Sequence, residues 1–163
     1  MTEESLLIVI AEVAAALAGF SGIAAAFGRR QERTWSANER ARLADLLNHS
    51  GIALFASLTP LVFAQRDGFN PDLWRNSSFF WAGFAVIGVG LRLRGLLSRR
   101  ASGELRRAAL SLSMFGALIV YQLYNALFWH MAFPYLTALV CNLGFAFVQF
   151  TSLVNPSSGD DDA

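Results

Sequence analysis

The chain has no lysine, one cysteine and only two histidines, and each shortage removes a class of function. A single cysteine, Cys141, excludes an intrachain disulfide and any paired-cysteine motif. Its position within an apolar run makes it, by expectation, a small buried hydrophobe. The histidines, His49 and His130, are expected near opposite faces of a membrane, more than ~20 Å apart by helix rise, which denies them a shared haem iron. There is no phosphate-binding loop and no His-Glu-x-x-His, and nothing in the chain calls for a metal or another cofactor. Ser21 in Gly19-Phe-Ser-Gly22 is spelled like a nucleophile elbow, but it falls inside an apolar helix with no strand before it. No enzymatic activity is expected.

Charge is scarce as well. Only 15% of the 163 residues are charged against 55% hydrophobic, and the mean hydropathy is +0.42, more apolar than an average soluble domain. The net charge is +1, and the thirteen basic residues, all arginine, flank apolar runs instead of lining one face. Nucleic acid is therefore not an expected partner. The Arg, Ala and Gly bias points to a GC-rich bacterial genome, not to a chemistry.

What the chain does have is apolar length. Five stretches, at 5–28, 43–65, 77–97, 108–129 and 134–154, each hold about twenty residues or more, enough at ~1.5 Å per residue to cross a hydrocarbon core of ~30 Å. Backbone groups in lipid must be satisfied internally, so the expected fold is all-α, a polytopic transmembrane bundle of about five spans. The first stretch lacks the positive flank of a secretory signal and is too long for one, and it is expected to remain as a helix. Residues 1–155 are expected to form a single helical domain. Residues 156–163 are an acidic, breaker-rich tail, expected to be disordered and cytoplasmic.

Arginine placement orients the bundle. Arg29, Arg30, Arg33, Arg40 and Arg42 lie between the first two spans, and Arg92, Arg94, Arg99, Arg100, Arg106 and Arg107 lie around the third loop, whereas the other two loops hold only Arg66 and Arg75. The positive-inside rule then puts the N-terminus outside and the C-terminus in the cytoplasm, in a bacterial inner membrane. Trp74, Trp81 and Trp129 are expected at the outer interface and Trp35 at the inner one. Arg92 and Arg94 are expected to snorkel to headgroups.

Local signals set the helix boundaries. Ser36-Ala-Asn-Glu39 fits a capping box at the start of the second helix. Asn70-Pro71 reads as a cap opening a short interfacial helix before the third span. Pro60 is expected to bend the second span. Pro134, suited to a first helical position, separates the last two spans by a tight antiparallel turn.

The first span carries a small-residue stripe, Ala14, Ala18, Gly22 and Ala26, with Ala15 and Gly19 beside it, expected to pack closely on another helix. The polar residues within the spans are the site candidates. Glu12 is the only acidic residue well inside an apolar span, and insertion scales charge at least ~2.5 kcal/mol for such a group, so it should face the bundle interior or a cavity, or be protonated. By helix rise Glu12 lies ~10 Å deep from the outer side, Asn125 ~9 Å, Gln122 ~14 Å and Asn142 ~13 Å. These four, with Tyr121 or Tyr124 beside them, are expected to form one buried polar cluster. Asp45, Asn48 and His49 are spaced for one face near the start of the second span, with Gln149 at a similar depth, as an inner-leaflet cluster in which an Asp-His pair can relay protons.

Two functions fit these features. One is an oligomeric channel or small transporter, with Glu12 near its outer mouth and Arg29 and Arg30 near its inner mouth. The other is a structural or accessory membrane subunit. The expected partners are the lipid bilayer and either further copies of the chain or a larger membrane protein.

Overall fold

A computed structural model describes residues 2–30, 36–99 and 102–154. Its elements are five α-helices, α1 Glu3–Arg30, α2 Ala37–Asp67, α3 Pro71–Arg99, α4 Ser102–Tyr124 and α5 Ala132–Val154, with a π-helical turn, Asn125–Trp129, after α4. No strand occurs among the described residues. Each of the five apolar stretches is helical throughout, four of them within one α-helix each and the other, 108–129, running from α4 through the π-helical turn. The acidic tail and Trp35 lie outside the described residues.

Four helical segments are long and apolar enough to cross a membrane: Glu3–Ala26, Glu39–Arg66, Leu112–Trp129 and Ala132–Val154. Helix α3 is long enough, but Asp72, Arg75, Asn76 and two serines near its start and Arg92 and Arg94 near its end shorten its apolar stretch. In the most apolar 18-residue stretch of each span only 33%, 39%, 28% and 22% is buried within the chain. Most of their surface is therefore left for lipid or for other molecules.

The caps follow local chemistry. The Ser36 N–H donates to the Glu39 carboxylate at 2.9 Å while the Glu39 N–H donates to the Ser36 hydroxyl at 3.2 Å, the reciprocal capping box expected at this site. Helix α2 runs unbroken through Pro60 and stops at Gly68, whose φ of +70° and N–H bond to the Ala64 carbonyl at 2.9 Å make a left-handed terminus. Ahead of Pro60, the Ser57 and Thr59 hydroxyls donate back to the Leu54 and Phe55 carbonyls, each at 2.8 Å. Asn70 caps α3 by accepting from the Leu73 N–H at 2.8 Å. No separate interfacial helix precedes α3, because Pro71 opens a helix that continues to Arg99.

The chain divides into two compact units. In the first, comprising residues 1–61 and 139–163, Leu17 of α1, Leu46 of α2 and Ala146 of α5 form a buried core, with Leu143, Phe150 and Leu153 packed against it. Phe20 and Phe150 add an aromatic contact at 5.8 Å. The Arg42 guanidinium donates to the Ser152 carbonyl at 3.0 Å, satisfying one of the last carbonyls of α5 with a cation where the helix dipole favours one. In the second unit, residues 62–138, α3 packs on α4 and on the π-helical turn.

Several expected placements are corrected. Trp74 and Trp81 are 4% and 2% exposed, so both rings pack against the chain itself, and Trp74 lies 5.8 Å from Tyr135. Trp129 is exposed. Cys141 is exposed, on a face of α5 that the chain leaves uncovered. Pro134 is the third residue of α5 instead of the first, which costs no hydrogen bond because N–H groups of the first turn lack intrahelical partners.

Candidate functional site

Helix α1 presents two different faces. Its buried positions are Leu7, Ile10, Ala11, Ala14, Leu17 and Ser21, and Leu7, Ile10, Ala14, Leu17 and Ser21 are spaced three and four residues apart as in a left-handed packing seam. The stripe read from the sequence runs strictly every fourth residue, and at 100° per residue each such step turns 40° away from the starting face. Ala14 is accordingly buried, Ala18 half-buried, and Gly22 and Ala26 exposed. Among the described residues a Cβ added at Gly19 or Gly22 would meet nothing within 4 Å, so neither glycine serves close packing there.

Glu12 belongs to the other face. Two residues before Ala14 along a helix is about 160° around it, and Glu12 is exposed, as are Ile8, Ala15, Ala16, Gly19 and Ile23 on the same side. It does not turn into the chain's own core, which leaves a cavity, an adjoining copy or a protonated state to meet the cost of an intramembrane charge.

The other members of the expected outer cluster have partners of their own. Asn125, fully buried, opens the π-helical turn: its Oδ1 accepts from the Met131 N–H at 3.1 Å, while its Nδ2 donates to the Met131 carbonyl at 3.0 Å and to the Ser78 hydroxyl at 2.8 Å. The carboxamide thus holds the backbone on the far side of the chain reversal and ties it to α3. The His130 N–H reaches back five residues to the Asn125 carbonyl at 2.8 Å, and His130 adopts a left-handed conformation with φ 53°. Its Nε2 lies 3.0 Å from the Ala126 carbonyl, which can only accept, so that nitrogen carries the proton. Gln122, also fully buried, donates through Nε2 to the Pro134 carbonyl at 2.9 Å, tying α4 to the first turn of α5. These bonds make Asn125 and Gln122 the fasteners of the tight turn between the last two helices.

Asn142 pairs instead with His49. The Asn142 Nδ2 donates to the His49 carbonyl at 3.0 Å, and its Oδ1 lies 2.9 Å from the His49 Nδ1. Both residues are buried, and the Phe145 ring stands 5.7 Å from the imidazole. The sequence placed them in different clusters because depth on α2 was counted from residue 43. The helix begins six residues earlier, at Ala37, and His49 and Asn142 each lie twelve residues, ~18 Å, from Ala37 and Val154. Together with the Arg42 to Ser152 bond, this contact sets α2 and α5 antiparallel in the first unit. Of the other inner-leaflet candidates, Asp45 and Gln149 are half-buried and Asn48 is exposed, on a different face from His49.

Ser21 is buried, and its hydroxyl donates to the Ala18 carbonyl at 2.6 Å. Among the described residues no three His, Cys, Asp or Glu side chains come together to hold a metal ion. No protein-family model, curated protein or solved structure matches the chain.

Proposed function

We propose that the chain is a five-span membrane protein with its N-terminus outside and its C-terminus in the cytoplasm, whose copies associate through the uncovered face of α1 into a channel or small transporter for a cation or another small solute. One observation carries this reading. The only carboxylate well inside the apolar length of α1 is exposed, and small residues, Ala15, Ala16 and Gly19, surround it on the same face. Hydrocarbon is a costly neighbour for a carboxylate, whereas a water-filled pathway or an adjoining subunit is not. The small residues leave room for either. A bundle of five helices is too thin to enclose an aqueous pathway alone, so permeation through it requires several copies arranged about a closed symmetry axis. In such an assembly Glu12 would form an acidic ring ~14 Å from the start of α1.

The test combines assembly size and flux. Native mass spectrometry of the full chain in lipid nanodiscs should give one symmetric oligomer, and vesicles containing it should pass protons or monovalent cations. Glu12→Gln should leave the oligomer intact and reduce that flux. Unchanged flux through an intact Glu12→Gln assembly defeats the channel reading, and a single-copy chain turns it into that of an accessory subunit whose α1 face is covered by a larger membrane partner.

A further inference from the structure

The second unit contains three buried polar atoms that find no hydrogen-bond partner among the described residues: the Ser77 hydroxyl, the Trp81 indole nitrogen and Oε1 of Gln122. Their residues are 0%, 2% and 0% exposed. A buried polar group without a partner costs about 1 to 3 kcal/mol, and three in one unit of a native fold call for something that satisfies them.

Helix register brings the three together. Helix α3 leads through residues 100 and 101 into α4, and α3 packs on both α4 and the π-helical turn. The bond from Asn125, at the end of α4, to Ser78, near the start of α3, fixes how the antiparallel pair is aligned. Three residues along α3 from Ser78 is Trp81, and three residues back along α4 from Asn125 is Gln122, so these two lie at one level. Ser77 is four residues before Trp81 and therefore on the same face of α3. Ala82, Ala85 and Ala126, all buried, keep this level narrow and apolar.

The chemistry of the three atoms is complementary. The indole N–H can only donate, the carboxamide oxygen can only accept, and the serine hydroxyl can do either. The amide end of Gln122 is already used on the Pro134 carbonyl, which fixes its oxygen as the group left over. Among the described residues of this unit the buried polar side chains, Ser77, Ser78, Gln122, Asn125 and Tyr135, are neutral, so none of them selects a charged ligand. Ser77 and Trp81 are only ~6 Å apart along the helix, which limits the occupant to a very small molecule.

We infer that this site holds one buried water molecule, accepting from Trp81, donating to Gln122 and bonded to Ser77. Three bonds are the usual complement of a buried water. The water joins α3 to α4 one helical turn from the Asn125 fastener, so the hairpin is held at two successive levels, first by the Asn125 to Ser78 bond and then through the solvent molecule.

The test uses the full chain in nanodiscs, labelled with nitrogen-15 at its four tryptophans. The indole proton of Trp81, identified as the resonance missing in Trp81→Phe, should show a direct magnetisation-transfer cross-peak to water despite its burial, and should exchange with deuterium more slowly than the indole of exposed Trp129. Ser77→Ala should weaken the cross-peak, and Gln122→Leu should abolish it while the thermal transition shows the variant still folded. A slowly exchanging Trp81 indole proton without a water cross-peak overturns the inference, since it means a direct bond to Gln122 or a dry site. That outcome is read on the unmodified chain, so it stands whether or not Gln122→Leu folds.

Discussion

The Asn142 carboxamide grips His49 at two points, ring and backbone, and the grip determines which nitrogen of the imidazole carries a proton. The His49 carbonyl can only accept, so the Asn142 amide must face it at 3.0 Å, which turns the Asn142 oxygen toward the ring at 2.9 Å. An oxygen acceptor there requires Nδ1–H in every protonation state of the ring. Replacing Asn142 by Leu leaves that N–H buried against an apolar group. We expect a loss of about 1 to 3 kcal/mol, read as a lower thermal midpoint in detergent. The paired change Asn142→Leu with His49→Phe should recover much of it, because both polar partners are then gone. Equal midpoints for Asn142→Leu and the unmodified chain would show that the pair contributes nothing.

Asn125 makes three side-chain bonds, two to Met131 and one to Ser78. Asn125→Leu removes all three. Asn125→Asp keeps an acceptor for the Met131 N–H, and the Ser78 hydroxyl can turn to donate to it, but the second oxygen then faces the Met131 carbonyl with no proton between them. Ser78→Ala leaves the amide its bond to Met131. Stability should therefore fall in the order Ser78→Ala least, Asn125→Asp next and Asn125→Leu most, the last by about 2 kcal/mol or more. Thermal unfolding of the three variants checks the order, and a Ser78→Ala loss as large as that of Asn125→Leu would contradict it.

What was legible in the sequence was local, and what was not depended on angle and register. Ser36 and Glu39 are three residues apart, and their capping box forms as read. Pro134 announced a break between the last two helices, and the break is there. The π-helical turn at Asn125–Trp129 rests on a bond five residues long, His130 to Asn125, for which no residue spacing gives a signal. The four-residue repeat of small side chains on α1 is conspicuous in the sequence, which leaves open whether it packs within the chain or on another copy, while the seam that the chain buries, Leu7, Ile10, Ala14, Leu17 and Ser21, mixes sizes and polarity and gives no such signal. His49 and Asn142 are parted when depth along α2 is counted from the start of its apolar stretch at residue 43, six residues and ~9 Å of helix beyond Ala37.

The two faces of α1 can be separated by bulk. Ala14 is fully buried inside the chain, whereas a side chain at Gly22 meets no neighbour within 4 Å. Ala14→Leu should overpack the first unit and destabilise the isolated chain by about 1 to 3 kcal/mol. Gly22→Leu should leave the thermal midpoint of the isolated chain unchanged or raised, since leucine favours helix over glycine. If copies meet on this face, it should lower the oligomer fraction at least tenfold. Analytical ultracentrifugation beside thermal unfolding reads both effects, and an oligomer indifferent to Gly22→Leu would place the contact elsewhere on the chain.

Helix α3 decides the topology, because it is the one long helix outside the four segments apolar enough to span. If it crosses, five spans put the two chain ends on opposite sides. If it lies along the membrane surface, four spans put them on the same side. Single cysteines introduced in a Cys141→Ala background distinguish the cases. Phe69 and Met131 are exposed positions in the connections between α2 and α3 and between the π-helical turn and α5, and Phe69 is preferable to Gly68, whose φ of +70° suits glycine. With five spans and a cytoplasmic C-terminus, a membrane-impermeant maleimide should label cysteines at 69 and 131 in intact cells and should label those at Arg40 and Gly159 only after lysis. With α3 on the surface, position 69 would stay labelled while 131 became protected and 159 accessible. Labelling at 131 therefore reads the path of α3 directly, and protection there would reduce the count to four.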